Sequence, residues 1–188
     1  MQRRLISIPF FLLRTTTAGA ALLTGLLQTF VFAHVLSPQR FSIFILVAAI
    51  GYSLWLIDLG IVKILFVRLR ARFLAGDRSE AVAGHATAIV LFYFALVVSG
   101  ALLCFIFMAT QTSATVREAA EFGLFFWFIA LNLVWFALRN ISIAVDEYVL
   151  FEALEMVRRA GYFIGLAAVL FGLPLLVMLV ALNVLWAA

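Results

Sequence analysis

Between Thr15 and Trp186 the chain is a succession of long apolar stretches, each divided from the next by a short polar or arginine-bearing link. About 20 apolar residues in helical conformation cover the hydrocarbon thickness of a bilayer. Stretches of that length lie near 15–36, 41–67, 86–110, 122–140 and 161–185. They are continuous rather than alternating, which excludes the strands of a membrane β-barrel. Hydrophobic residues fill 67% of the 188 positions and charged ones 12%, against roughly 45–50% and 25% in a soluble domain. Too little polar surface is left to coat soluble helices. The expectation is an all-α polytopic membrane helix bundle of about five transmembrane helices, forming one domain over 1–188.

The amino terminus imitates a signal peptide: MQRR, an apolar LISIPFFLL, then Ala18-Gly19-Ala20. Arg14 interrupts its apolar core, and the following ALLTGLLQTFVFAHVL is itself apolar. A retained first span fits better. Residues 1–13 are then expected along the cytoplasmic interface, with Arg3 and Arg4 at the headgroups.

Basic residues concentrate on the cytoplasmic side of membrane proteins. With the amino terminus inside, ten arginines fall there: Arg3, Arg4, Arg14, Arg68, Arg70, Arg72, Arg78, Arg139, Arg158 and Arg159. Arg40 and Arg117 fall outside. The bias predicts an N-in, C-out chain, and it accounts for the +4 net charge without a nucleic-acid partner. Residues 141–160 hold Asp146, Glu147, Glu152, Glu155, Arg158 and Arg159, and are expected mostly at or beyond the membrane edge. There Glu155 and Arg159 have the i,i+4 spacing of a helical ion pair. Gly172 and Pro174 predict a kink in the fifth span.

Five polar residues stand out within the apolar runs. Asp58 is the sharpest, because an ionised side chain deep in a bilayer costs about 2.5–3.5 kcal/mol unless it is paired or hydrated. Lys63 is five residues further on, off its helical face, so a partner on another helix is expected, with Arg14 and Arg139 at the same level. Gln28 places an amide near mid-membrane on a stripe with Ala20 and Thr24. Asn132 and Arg139 share one face with Trp135. That face suits either a cavity open to the cytoplasm or an interhelical hydrogen bond with interfacial anchors. Thr17, Ala21, Gly25, Thr29 and Ala33 recur every four residues, the spacing of close helix packing within a bundle or between two copies.

Catalytic motifs are absent, so no enzyme activity is expected. Ser99-Gly100 lacks the flanking glycine and paired histidine of an intramembrane serine protease, and His34 and His85 fall at a span end and in a loop. One cysteine, Cys104, and two distant histidines offer no metal site. No cofactor is implied.

The stretch LLTGLLQTFVFAHVLSPQRFSIFILVAAIGYSLWLIDLGI resembles the start of the polysaccharide flippases in the multidrug/oligosaccharidyl-lipid/polysaccharide exporter superfamily. The resemblance is carried by Leu36-Ser37-Pro38 with Phe41 and by Asp58-Leu59-Gly60. LRNISIAVDEYVLFEALEMVRRAGYF looks like the family's connection between its fourth and fifth helices. Members of that family have two related halves, so the resemblance implies that this chain supplies most of an amino-terminal half. It further implies a multi-pass inner-membrane protein that flips a lipid-linked oligosaccharide for cell-surface polysaccharide or lipopolysaccharide. The missing carboxyl-terminal half or another subunit would be its partner, and Arg14, Gln28, Asp58, Asn132 and Arg139 would belong to the substrate pathway. A multidrug or small-solute exporter of the same superfamily, and a non-transporting membrane scaffold, are the competing readings.

Overall fold

The computed structural model describes residues 8–58, 60–76, 80–111 and 114–187. Arg3, Arg4, Leu59 and Arg78 lie outside them, as does the interfacial path expected for residues 1–7. Among the described residues seven helices follow one another: α1 (Ile8–Val35), α2 (Pro38–Ser53), α3 (Ile61–Leu74), α4 (Glu80–Gln111), α5 (Val116–Ala144), α6 (Tyr148–Leu170) and α7 (Leu175–Ala187). No strand is found among those residues. By length and composition Phe11–Val35, Ala83–Thr110 and Val116–Ala144 are able to cross a membrane. The chain is thus a helical membrane protein.

The helix α5 is its axis. Two-thirds of the most apolar stretch of α5 is buried, against about a fifth of the corresponding stretches of α1 and α4, so its neighbours face outward on most of their surface. Its first turn is fixed by a capping box, in which Thr115 and Glu118 satisfy each other's backbone amides. Arg40, at the start of α2, reaches Glu118 at 3.4 Å and also pairs with the buried Glu121. Below that ion cluster the rings of Phe32, Phe44, Phe122 and Phe125 pack at centroid distances of 4.7 to 5.3 Å. Such tilted and edge-on pairs add to the area that they bury. The turn between α1 and α2 is as the sequence predicts, with Ser37 extended and Pro38 opening α2.

Glycines bring α4 against α5. A methyl at Gly123 would lie 3.3 Å from the Ala101 carbonyl oxygen, and one at Gly100 would overlap the Phe126 ring. Cys104 sits on this side of α4, partly buried against the core.

The second apolar run is broken. A tight 3-10 turn at Leu54–Asp58 ends α2, and Gly60 adopts φ +83° before α3 begins. The first helical run is longer than expected, since α1 already starts at Ile8.

The fifth run differs most. It is not one kinked helix over 161–185. The helix α6 begins well before it, at Tyr148, and ends at Leu170. There Gly172 (φ +99°) donates to Val169 O and Leu173 to Ala168 O. These bonds form a Schellman stop, which Pro174 reinforces because it cannot continue a helix. The helix α7 then folds back. Gly165 faces Met178 and Leu182, and Gly161 faces Trp186. At 13 residues, α7 is about 20 Å long and ends beside the middle of α6. The single kinked helix expected over 161–185 is therefore replaced by a hairpin of α6 and α7.

Candidate functional site: a polar cleft between α1, α5 and α6

Polar residues that the sequence scatters over the first, fourth and fifth apolar runs and the charged link at 141–160 converge where α6 crosses α5 and α1. Tyr162 donates its hydroxyl to Gln28 Oε1 at 2.9 Å. One turn lower, Arg158 Nη2 donates to Asn132 Oδ1 at 2.7 Å, while its Nε and Nη2 grip the Glu155 carboxylate at 2.8 and 3.0 Å. The Arg158 guanidinium also lies 5.1 Å from the Trp135 ring centroid, a cation–π contact strengthened by burial. Arg159 Nη2 takes the second side of Glu155 at 2.6 Å, which realises the expected i,i+4 pair. Lower again, Glu152 is paired with Arg139 and lies 3.6 Å from Arg14.

The open space follows the same line. One cavity of about 70 Å³ is bounded by Ala21, Gly25 and Gln28 of α1, Tyr52 of α2, and Asn132 and Arg159. A second of about 80 Å³ continues it, between Arg14, Thr17, Trp135, Arg139, Phe151 and Arg158. From Phe128 to Arg139 the cleft follows α5 for roughly 16 Å. Asn132 is close to the middle of that helix.

Charge in the cleft is unequal: four arginines (14, 139, 158 and 159) meet two glutamates (152 and 155). Taking a carboxylate out of water costs several kcal/mol, returned only when partners saturate it. Here saturation is incomplete. Glu152 Oε2, Arg139 Nε and Arg159 Nε are buried without a hydrogen-bond partner. A net-positive cleft lined by guanidinium groups is chemically suited to an anionic or hydroxyl-rich group.

Of the five residues singled out in the sequence, Arg14, Gln28, Asn132 and Arg139 line this one cleft. Asp58 does not. Its expected arginine partners are engaged with Glu152, and its own ligands are different: Oδ1 accepts from Val62 N at 3.0 Å and from the Tyr93 hydroxyl, and Oδ2 from Gly60 N at 3.2 Å. Asp58 thus takes the first amides of α3, the place where a carboxylate is favoured by the helix dipole. An aspartate two residues before a glycine, ahead of a new apolar run, is the signal for that cap.

Glu152, Glu155, Arg158 and Arg159 are the residues that sequence reasoning placed elsewhere. Expected as solvated charges at the membrane edge, they are instead packed among the helices, with Glu152 only 1% and Arg158 5% exposed. The i,i+3 and i,i+4 spacing lets Glu155 meet Arg158 and Arg159 on the same helix, while Glu152 meets Arg139 and Arg14 on its neighbours, and these pairings make burial tolerable. The small-residue stripe of α1 is also repurposed. Thr17 is buried against the bundle, but a methyl added at Gly25 would meet nothing within 4 Å, and Ala21 and Gly25 form a wall of the cleft. His85, expected in a loop, lies within α4.

Among the described residues no three His, Cys, Asp or Glu side chains gather as a metal site. Comparison with family models, with curated proteins and with solved structures finds no match for the chain.

Proposed function

We propose that this chain forms part of a membrane transporter that moves a lipid-linked oligosaccharide across the inner membrane for cell-surface polysaccharide assembly. The observation that carries the reading is the cleft: two adjoining small cavities with a polar, net-cationic lining, set against the middle and carboxyl-terminal part of α5. The Leu36-Ser37-Pro38 turn with Phe41 and the Asp58-Leu59-Gly60 break support it as points of resemblance to the flippases. In this scheme Arg14, Arg139 and Arg159 meet the diphosphate, while Gln28 and Asn132 meet sugar hydroxyls. Asp58 holds the break in the second span. Movement would come from rocking of this half against a second one, contributed by a carboxyl-terminal portion or another subunit.

The topology that belongs to this proposal is N-in. The paired α2 and α3 form the second crossing, α6 is the fifth, and α7 turns back into the bundle. The direct test is binding. The chain in nanodiscs is titrated with a polyisoprenyl-diphosphate sugar and, separately, with the same polyisoprenol lacking phosphate and sugar. The diphosphate sugar is expected to bind preferentially, and Arg159→Gln to weaken it by about tenfold, the worth of one charge-assisted hydrogen bond. Equal binding of both lipids, or an Arg159→Gln variant that binds like the parent, would overturn the proposal.

A further inference from the structure

On the outer side of the cleft, α1 and α6 leave an apolar groove of about 270 Å³ between them. Leu23 of α1 with Met156, Phe163 and Ile164 of α6 form much of its lining. Thr24 adds little polarity there, because its hydroxyl donates to the Ala20 carbonyl one turn back. Leu23, Phe163 and Ile164 are exposed, so the groove opens outward, toward hydrocarbon when the chain lies in a bilayer. Among the described residues that line it, the one charged side chain is that of Arg159.

Thr24 and Arg159 also line the first cavity of the cleft, and Arg159 lines the second as well. Groove and cleft thus lie on two sides of one partition, to which these two side chains belong. The two arginines that hold Glu155 differ here. The Arg158 side chain is 6% exposed and lines the cleft but not the groove, whereas that of Arg159 is 27% exposed and borders both.

A lipid-linked sugar has an anionic head and a long hydrocarbon tail, and every methylene drawn out of the bilayer into water opposes its withdrawal. The cavities of the cleft, about 70 and 80 Å³, have no room for such a tail. It therefore stays in hydrocarbon while the head is inside, and it has to cross the wall of the bundle beside the cation that holds the head. Bilayer hydrocarbon is as apolar as the groove, so the groove adds little affinity of its own. Its effect is to set where the tail leaves.

We propose that the polyisoprenyl chain of the lipid-linked oligosaccharide lies in the α1–α6 groove with its first phosphate on Arg159, so that the substrate enters the cleft sideways between these two helices. The inference rests on the transport reading above.

The test uses the chain in nanodiscs and a polyisoprenyl-diphosphate sugar carrying a diazirine on the isoprenoid unit nearest the diphosphate. After irradiation, mass spectrometry maps the labelled residues. Label is expected on α1 around Leu23 and on α6 around Phe163 and Ile164. Excess unlabelled polyisoprenyl-diphosphate sugar should remove it, and the same excess of phosphatidylglycerol should not. Ala160 is exposed and also lines the groove. Ala160→Trp should lower the labelling by about tenfold, because a tail kept out of the groove denies the head its charge-assisted hydrogen bond to Arg159. Leu91→Trp, at an exposed position of α4, is the control and should change nothing. Should Ala160→Trp elute as aggregate, the labelled positions in the parent chain decide alone. A probe that binds better than the polyisoprenol but labels other helices would overturn this inference and leave the transport reading standing. A probe that binds no better than the polyisoprenol would overturn both. Labelling that Ala160→Trp leaves unaltered, or that phosphatidylglycerol displaces, would also overturn the inference.

Discussion

Tyr162 and Gln28, 134 positions apart in sequence, share a buried hydrogen bond of 2.9 Å that ties α6 to α1 inside the bundle. Neither group is charged, so the bond avoids the desolvation cost of an ion pair, yet each becomes an unmet polar group when the other is removed. Tyr162→Phe is expected to destabilise the folded chain by about 1 kcal/mol, within the roughly 0.6–2 kcal/mol of interhelical hydrogen bonds in membranes. Gln28→Leu should cost a similar amount. The double variant should cost clearly less than the two together, because no orphan is left. Denaturant titration in detergent measures all three, and strict additivity would show that the bond is not coupled.

The Arg158–Glu155 pair is nearly buried on both sides, with side chains 6% and 10% exposed. Removing one member of such a pair costs roughly 3–5 kcal/mol, whereas replacing both with apolar residues is often neutral. Arg159 remains on Glu155, so Arg158→Met should fall at or below the lower end of that range. Glu155→Met is expected to be worse, because it leaves two arginines facing each other. Arg158→Met with Glu155→Met should recover most of the loss. A double variant as unstable as Glu155→Met would mean that Asn132 and Trp135 rely on Arg158 for more than charge.

Two glycines of one fold should respond in opposite directions. Gly25 lies mid-helix with open space beside it, and glycine there costs about 0.5–1 kcal/mol relative to alanine. Gly25→Ala should therefore be neutral or slightly stabilising, and Gly25→Leu should fold while narrowing the cleft. At Gly123 a methyl would sit 3.1 Å from Phe105 Cβ and 3.3 Å from the Ala101 carbonyl oxygen. Gly123→Ala should destabilise by about 1–3 kcal/mol, the usual cost of overpacking. Thermal melts in one detergent compare them. A Gly25→Ala protein as labile as Gly123→Ala would place another helix against the α1 stripe.

Much of this architecture is legible in the sequence because its strongest signal, long continuous apolar runs, is local. So is the Ser37-Pro38 turn. What the runs conceal is which residues face inward. Arg14, Gln28, Asn132 and Arg139 are conspicuous because each interrupts an apolar stretch. Glu152, Glu155, Arg158 and Arg159 are denser, and dense charge reads as solvated surface. Pairing of Glu155 with Arg158 and Arg159 within α6, and of Glu152 with Arg139 and Arg14 across helices, makes them suited to burial, and spacing alone does not separate the two cases. The return of α7 has a readable signal in Gly161 and Gly165, one turn apart, which let a neighbouring helix approach. It is masked by Gly172 and Pro174, which fit a kink equally well until the Schellman bonds are seen. Asp58 shows the reverse error, since a deep carboxylate invites a long-range cation while its ligands are nearby backbone amides and a neutral tyrosine.

That local role gives the last prediction. If Asp58 caps α3, what matters is an acceptor at the amides of Gly60 and Val62, with charge a smaller term. Asp58→Asn keeps one acceptor oxygen for Val62 N and costs about 1 kcal/mol or less, because asparagine caps helices nearly as well as aspartate. Asp58→Leu removes every acceptor, and it leaves the Tyr93 hydroxyl and two amides unmet in a site that is 9% exposed at Asp58. Each buried unmet group costs about 1–3 kcal/mol, so this variant should be the least stable of the series. Tyr93→Phe keeps the cap and removes one donor, so it should fall between them. Equilibrium unfolding in detergent gives the order Asn, Phe, Leu, from mildest to most severe. An asparagine variant as damaged as the leucine variant would show that the negative charge itself is required, and a cation would then have to be sought near the break between α2 and α3.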